Sequence, residues 1–227
     1  MARIGIISAM PVEMEGFIKD LNAKEVPKKG FYQLYKGNAA ENEIYLVCCG
    51  IGKVNAAIST QRLIDLVGVD YIINMGIAGG IGKHLKTLDV VIGTDVVYHD
   101  FQPPDLLDKY YPFTSVFECN PQMVELAEKV CAGTREVDYF CRGRIATGDR
   151  FVEAGEDKKR ILEMGGMCCE MEAAAIAHAA CVNNVPFLII RSISDLADEG
   201  AQMSYNEFEK KASVQANRVV MGMINQL

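Results

Sequence analysis

Three carboxylates stand where chemistry could be done: Glu13, Glu172 and Asp195. Asp195 closes the apolar run Ile189-Ile190-Arg191-Ser192-Ile193-Ser194. A carboxylate ending a buried strand is costly unless it is paired or protonated, so either Arg191 is its partner or it carries a proton. Glu170-Met171-Glu172 precedes an alanine-rich helix, where a negative charge at the N-terminus is favourable in itself or serves a site. The histidines His84, His99 and His178 have no metal-ligand spacing, and no Ser or Cys sits in a nucleophile elbow. Acid and base work by carboxylates is the chemistry that remains, with no metal and no cofactor expected. Gly50-Ile51-Gly52 lacks the third glycine of a dinucleotide fingerprint, and neither glycine cluster leads into Gly-Lys-Ser/Thr. Gly76 to Gly80 reads instead as a tight turn whose backbone amides can approach a flat ligand.

The elements that must position these residues alternate along the chain. Arg3 to Ser8 reads as a strand, followed by a helix with Pro11 in its first turn and Met14, Phe17, Ile18 and Leu21 at helical spacing. Phe31 to Lys36 and Glu43 to Cys49 read as a hairpin around Gly37-Asn38, and Lys53 to Val67 as a helix. Further strands are expected at Tyr71 to Met75, Leu88 to Val97, Cys141 to Thr147 and Phe187 to Ile193. Further helices are expected at Pro121 to Ala132, Glu153 to Glu163 and Met171 to Val182. Ser204-Tyr205-Asn206-Glu207 matches a capping box opening a last helix. Asp100 to Cys119, rich in proline and aromatic residues, fits no element and reads as a long functional loop.

Strands apolar on both faces belong in a covered, largely parallel sheet, so the expected fold is α/β: a three-layer α/β/α domain spanning 1–227 around a mixed, mostly parallel central sheet. Ligands of such sheets gather beyond the carboxyl ends of the strands, where Met10, Glu13, the Gly76 cluster, Asp149, Phe151 and Asp195 all fall.

The chain has 227 residues and a formal charge of −7, which disfavours a nucleic-acid partner. No apolar run reaches the roughly 18 residues a membrane span needs. Eight cysteines occur without a Cys-x-x-Cys, and the opening Met1-Ala2-Arg3 does not resemble a secretory signal. Buried, reduced thiols in the cytoplasm are therefore expected.

Ile4-Gly5-Ile6-Ile7-Ser8-Ala9-Met10 with Glu13, Gly50-Ile51-Gly52-Lys53-Val54-Asn55-Ala56-Ala57 and Asn74-Met75-Gly76-Ile77-Ala78-Gly79-Gly80 carry a specific resemblance, in register along the whole chain. So do Tyr98-His99-Asp100, Gly148-Asp149-Arg150-Phe151, Glu170-Met171-Glu172-Ala173, Arg191-Ser192-Ile193-Ser194-Asp195 and Ser204-Tyr205-Asn206-Glu207-Phe208. The sequence resembles the 5′-methylthioadenosine/S-adenosylhomocysteine nucleosidases of the nucleoside phosphorylase superfamily. The resemblance implies a nucleoside phosphorylase-like fold, a place in methionine salvage, and hydrolysis of the N-glycosidic bond of an adenine nucleoside carrying a 5′-thioether. It implies Asp195 as general acid at adenine N7, Glu13 as the group that activates water, and Glu172 as partner of the ribose hydroxyls and of developing positive charge. Phe151 would stack on adenine while the Val152 backbone reads its edge. Met10, Ile51, Met171 and Tyr205 would wall the ribose and thioether, and Ala78, Gly79 and Ser194 complete the implied binding set.

Phosphorolysis is the nearest rival and needs arginines to hold phosphate. The stretch Ser8-Ala9-Met10-Pro11-Val12-Glu13 replaces the Gly-Asp-Pro-x-Arg of hexameric purine phosphorylases and puts an anion there instead. Ile77 stands where the family commonly has a small hydroxyl residue. Phe101 to Phe117 differs from the family loop that completes the neighbouring subunit's pocket in a homodimer, with Tyr110 or Phe113 as candidate replacements. Futalosine or 6-amino-6-deoxyfutalosine hydrolysis, and nucleoside binding without turnover, are the alternative functions.

Overall fold

The computed structural model describes all residues except 28–32, 104, 154, 199 and 200, and leaves the side chains of 202 and 203 aside. Strand β1 (Arg3–Ser8) leads into α1 (Pro11–Asp20), as the buried isoleucines and Pro11 require. The short β2 (Lys24–Glu25) pairs with β3 (Gln33–Ala39), which forms a hairpin with β4 (Asn42–Cys48). Its turn lies at Ala40-Glu41 with Ala40 at φ 49°, not at Gly37-Asn38, which stay within β3. The expected strand start at Phe31 lies outside the described residues.

Helix α2 (Lys53–Val67) ends on Gly68 in the left-handed conformation, the usual stop for a helix. Strand β5 (Tyr71–Gly80) follows and absorbs the glycine cluster, so the expected turn there is extended backbone. Strand β6 (Val90–Tyr98) precedes the segment expected to fit no element. That segment holds a short helix, α3 (Leu106–Lys109), and a strand, β7 (Val116–Glu118), paired with β6. Asn120 caps α4 (Pro121–Gly133) by accepting from the Met123 amide at 3.1 Å, with Pro121 at its first position.

Next come β8 (Phe140–Thr147), α5 (Glu156–Glu163) and β9 (Gly166–Glu170), a strand unforeseen in the sequence. Six alanines among ten residues favour α6 (Ala173–Val182). Strand β10 (Phe187–Asp195) is buried throughout, and α7 (Ala201–Ile224) closes the chain. Ser204 lies inside α7 rather than at its cap, so the expected capping box is not formed.

The α/β sheet is mixed. β1–β4, β1–β5, β5–β10, β6–β8 and β8–β9 run parallel, while β2–β3, β3–β4, β5–β9, β6–β7 and β6–β10 run antiparallel. Two helix groups cover it, α1 with α4 and α7, and α2 with α6. β10 lies between β5 and β6, although it is the last strand made. On its other edge β5 splits its pairing, with Tyr71 to Asn74 against β1 and Gly79-Gly80 against β9. Residues 75–78 lie in the gap, and the site sits over it.

Six of the eight cysteines are buried and all are free; Cys141 is half-buried and Cys181 exposed. Cys168 and Cys169 on β9 enter different apolar clusters, the consequence of strand alternation. No helix among the described residues is long and apolar enough to cross a membrane.

Candidate active site

A cavity of about 200 Å³ opens at the gap in the β5 edge. It is lined by all twelve residues named from the sequence: Met10, Glu13, Ile51, Ala78, Gly79, Phe151, Val152, Met171, Glu172, Ser194, Asp195 and Tyr205. Ala9, Ile77, Arg150, Cys169 and Glu170 also line it. Three acids in one small cavity, at 3%, 7% and 2% exposure for Glu13, Glu172 and Asp195, are placed for reaction rather than solubility.

Glu13 sits in the first turn of α1 and its carboxylate folds back over the helix start. One oxygen accepts the Ala9 and Met10 amides at 2.9 Å each, and the other accepts the Ile77 amide at 3.0 Å. The Ile77 amide is available because it lies where β5 has left β1 and not yet met β9. Gly76 is required beneath it, since a Cβ there would stand 2.5 Å from the Glu13 carboxylate. Burial raises the Glu13 pKa, and these amides together with the Arg191 charge only partly oppose it.

Asp195 follows a shift in the β5–β10 register between Ile193 and Asp195. One carboxyl oxygen accepts the Ala197 amide at 2.9 Å and the other the Ser194 hydroxyl at 2.8 Å. Burial outweighs both and raises the Asp195 pKa. Arg191 is not its partner, contrary to one reading of the sequence. Arg191 is buried on Glu170 at 2.6 Å and on the Asn74 side-chain oxygen.

Glu170 and Glu172 divide the two readings of their segment. Glu170 is the helix-end charge: it accepts the Glu172 amide at 3.0 Å and the Ala173 amide at 2.8 Å, and the Thr147 hydroxyl bonds it as well. Glu172 turns to the cavity and accepts the Gly52 amide at 2.7 Å. Burial, then the neighbouring Glu170, push its pKa from 4.5 up to about 8.

A carboxyl group with a raised folded-state pKa stabilises the fold fully below its unfolded value, and that contribution disappears as the pH rises through the folded value. Stability conferred by Glu172 is therefore lost between about pH 4.5 and 8. Glu172→Gln, which cannot ionise, is expected to show a smaller fall in melting temperature between pH 6 and 9 than the unmodified chain. Parallel melting curves of the two proteins over that range would refute the assignment.

Phe151 is 44% exposed and meets Tyr205 edge-on, with ring centroids 5.8 Å apart, across the mouth of the cavity. The Tyr205 hydroxyl lies 3.3 Å from the Met10 sulfur and 3.1 Å from a Glu209 oxygen, either of which can accept its one proton. Cys169 contributes a thiol that burial makes hard to ionise, so it is a wall and not a nucleophile. Among the described residues no group of three or more His, Cys, Asp or Glu could hold a metal ion.

The family model described as the phosphorylase superfamily matches residues 3–225. The chain belongs to this superfamily. Within it, the 5′-methylthioadenosine/S-adenosylhomocysteine nucleosidase of Exiguobacterium sp. (strain ATCC BAA-1283 / AT1b) is 35% identical over 236 residues, covering 99% of this chain and 98% of the relative. The nucleosidase of the same name from Neisseria meningitidis, solved with methylthio-immucillin-A, superposes with a TM-score of 0.91 at 35% identity and full coverage of both chains. A futalosine hydrolase mutant of Helicobacter pylori strain 26695 superposes with a TM-score of 0.90 at 29% identity, again covering both chains fully. The pocket of this chain lies at the carboxyl ends of β1, β5, β8, β9 and β10. Glu170, Cys169, Arg150, Ala9 and Ile77 also line the cavity but were not in the catalytic or binding set implied from sequence. Glu170 had the clearest signal, being spaced from Glu172 so that one carboxylate caps α6 while the other is free to face a ligand.

Proposed function

We propose that this chain hydrolyses the N-glycosidic bond of 5′-methylthioadenosine, S-adenosylhomocysteine or both, releasing adenine and a 5-thioribose that feeds methionine salvage in the cytoplasm. The observation that carries the reading is the gathering of Glu13, Glu172 and Asp195 around one cavity in a chain whose relatives are nucleosidases of that name.

Adenine is a poor leaving anion and must gain a proton as it departs. Asp195, whose pKa burial raises, supplies that proton to N7, and the Ser194 hydroxyl and Ala197 amide hold its carboxyl in place. The ribose becomes oxocarbenium-like as the bond breaks. Glu172 bonds the ribose hydroxyls and is favoured in its ionised form by that positive charge. Glu13 orients a water on the opposite face and takes its proton, its own position fixed by three backbone amides. Phe151 stacks on adenine and the Val152 backbone reads its edge, with Ala78, Gly79 and Ser194 beside the base. Met10, Ile51, Met171 and Tyr205 wall the ribose and thioether, where polarizable sulfur suits sulfur.

Arg150, the arginine that lines the cavity, pairs with Asp157 at 3.1 Å, and the buried Arg191 behind it is held by Glu170, which favours water over phosphate as nucleophile. No described residue of Phe101 to Phe117 lines the cavity of the single chain. Tyr110, Tyr111 and Phe113 are 66–69% exposed, and Val54 and Ile58 project from successive turns of α2. These apolar surfaces support a homodimer in which the 101–117 segment closes the thioether end of the neighbour's pocket.

Incubation with 5′-methylthioadenosine in phosphate-free buffer is expected to release free adenine; absence of release would sink the reading. Parallel assays with adenosylhomocysteine, futalosine and inosine rank the alternatives. Turnover of futalosine alone would move the chain to the activity named for the Helicobacter pylori hydrolase neighbour.

A further inference from the structure

Outside the three acids, the chain has a charged clasp that joins the loops of the pocket. Lys53, first residue of α2, places its ammonium 2.6 Å from both oxygens of Asp100 and 3.6 Å from Asp149. Asp149 accepts the Lys53 amide at 2.9 Å, and Asp100 accepts the Asp149 amide at 2.9 Å. The Lys53 ammonium also lies 5.6 Å from the centre of the Tyr98 ring. These contacts span three separate stretches of chain: the turn before α2, the end of β6 and the end of β8.

Two of these stretches lead directly to parts of the pocket. The turn carries Ile51, and its Gly52 amide donates to Glu172. Gly52 has φ +96° and no side chain to cap α2, so Asp149 and Glu172 satisfy the first amides from elsewhere in the fold. Asp149 is two residues from Phe151 and three from Val152, and Asp100 is the root of the 101–117 segment.

We propose that Lys53, Asp100 and Asp149 are positioning residues that hold the Phe151 face of the pocket in register with Glu172, and thereby set adenine affinity. The inference rests on the nucleosidase reading for its substrate. Without the ammonium, two carboxylates face each other across a hydrogen-bonded amide, and their repulsion drives the 148–152 loop from its place. Lys53 and Asp100 are half-buried, at 23% and 18% side-chain exposure, so solvent screens that pair only in part, while Asp149 is 47% exposed.

Lys53→Met is expected to raise KM for 5′-methylthioadenosine by about tenfold or more while kcat stays within about threefold, the pattern of lost uniform binding. Asp149→Asn in the same chain relieves the repulsion and is expected to recover much of that KM, whereas loss of general stability would add to the first defect. Asp100→Asn, with the lysine intact, is expected to raise KM in the same way and serves if Lys53→Met does not fold.

The chain contains no tryptophan, so Phe151→Trp provides a reporter independent of any activity. Its emission is expected to be more readily quenched by acrylamide when Lys53 is methionine. A fall in kcat with KM unchanged, a double variant worse than the single one, or unaltered quenching would overturn the clasp. Absence of turnover by the unmodified protein would overturn the substrate reading instead, leaving the quenching result to decide the clasp.

Discussion

Asp195→Asn is expected to leave the chain folded and able to bind adenine, and to lower kcat for thioadenosine cleavage by about 10²- to 10⁴-fold, the scale of a positioned proton donor. The amide keeps the size of the acid and can still accept from the Ala197 amide, but it has no proton to give. The pH profile separates this role from simple damage. Burial sets the Asp195 pKa above its ordinary 3.8, so activity falls on the alkaline side as this carboxyl loses its proton. The variant's residual activity should lack that limb. Cleavage within a few-fold of the unmodified protein, or an unchanged alkaline limb, would remove Asp195 from the role of acid.

Glu13→Gln is expected to cost a similar factor, about 10²- to 10⁴-fold in kcat, because the water loses the group that takes its proton. The substitution also disturbs a bonding pattern. Three amides point at the two carboxylate oxygens, and a glutamine can satisfy only one side with its carbonyl while its NH₂ meets an N–H donor. Glu13 loses a burdened negative charge at the same time, so the melting temperature should shift only modestly. A steady-state assay beside a melting curve distinguishes the outcomes. Activity retained at unchanged Tm would place the base elsewhere, whereas a collapsed Tm would make Glu13 chiefly a helix cap.

Glu13 and Asp195 were legible because apolar strands and their ends are written in short local patterns, and ligand sites of open α/β sheets lie at those ends, whereas Glu172 follows the unforeseen β9 and was singled out through the resemblance of its Glu170-Met171-Glu172-Ala173 block. The partner of Asp195 was not legible. Arg191 lies four residues before it, but on an extended strand that is about 13 Å away, and Glu170, 21 residues back, takes the guanidinium. The Gly76 to Gly80 segment shows the same limit: its glycines suggest a turn, but pairing with β10 on one edge and β9 on the other keeps it extended. Strand β9 is five residues long and borders a helix on each side, too short for periodicity to declare it. The Ser204 capping box failed because α7 begins at Ala201, so a sequence match to a cap carried no knowledge of where the preceding chain turned. Between Asp100 and Cys119, prolines and aromatics masked α3 and β7, and β7 exists only through its partner β6.

The place of β10 has a consequence for how the molecule comes into being. Its neighbours β5 and β6 are synthesised more than 85 residues before it, and during synthesis they must leave a berth that stays empty until residues 187–195 emerge. That strand brings Ser194 and Asp195 with it, so the nascent chain holds Glu13 long before, and Glu172 shortly before, it holds the third acid. Pairing at such separation is slow relative to local helix formation. A nucleoside analogue added to a refolding or translating chain should therefore engage only after the strand has slotted home, and its capture would time the last long-range step of folding.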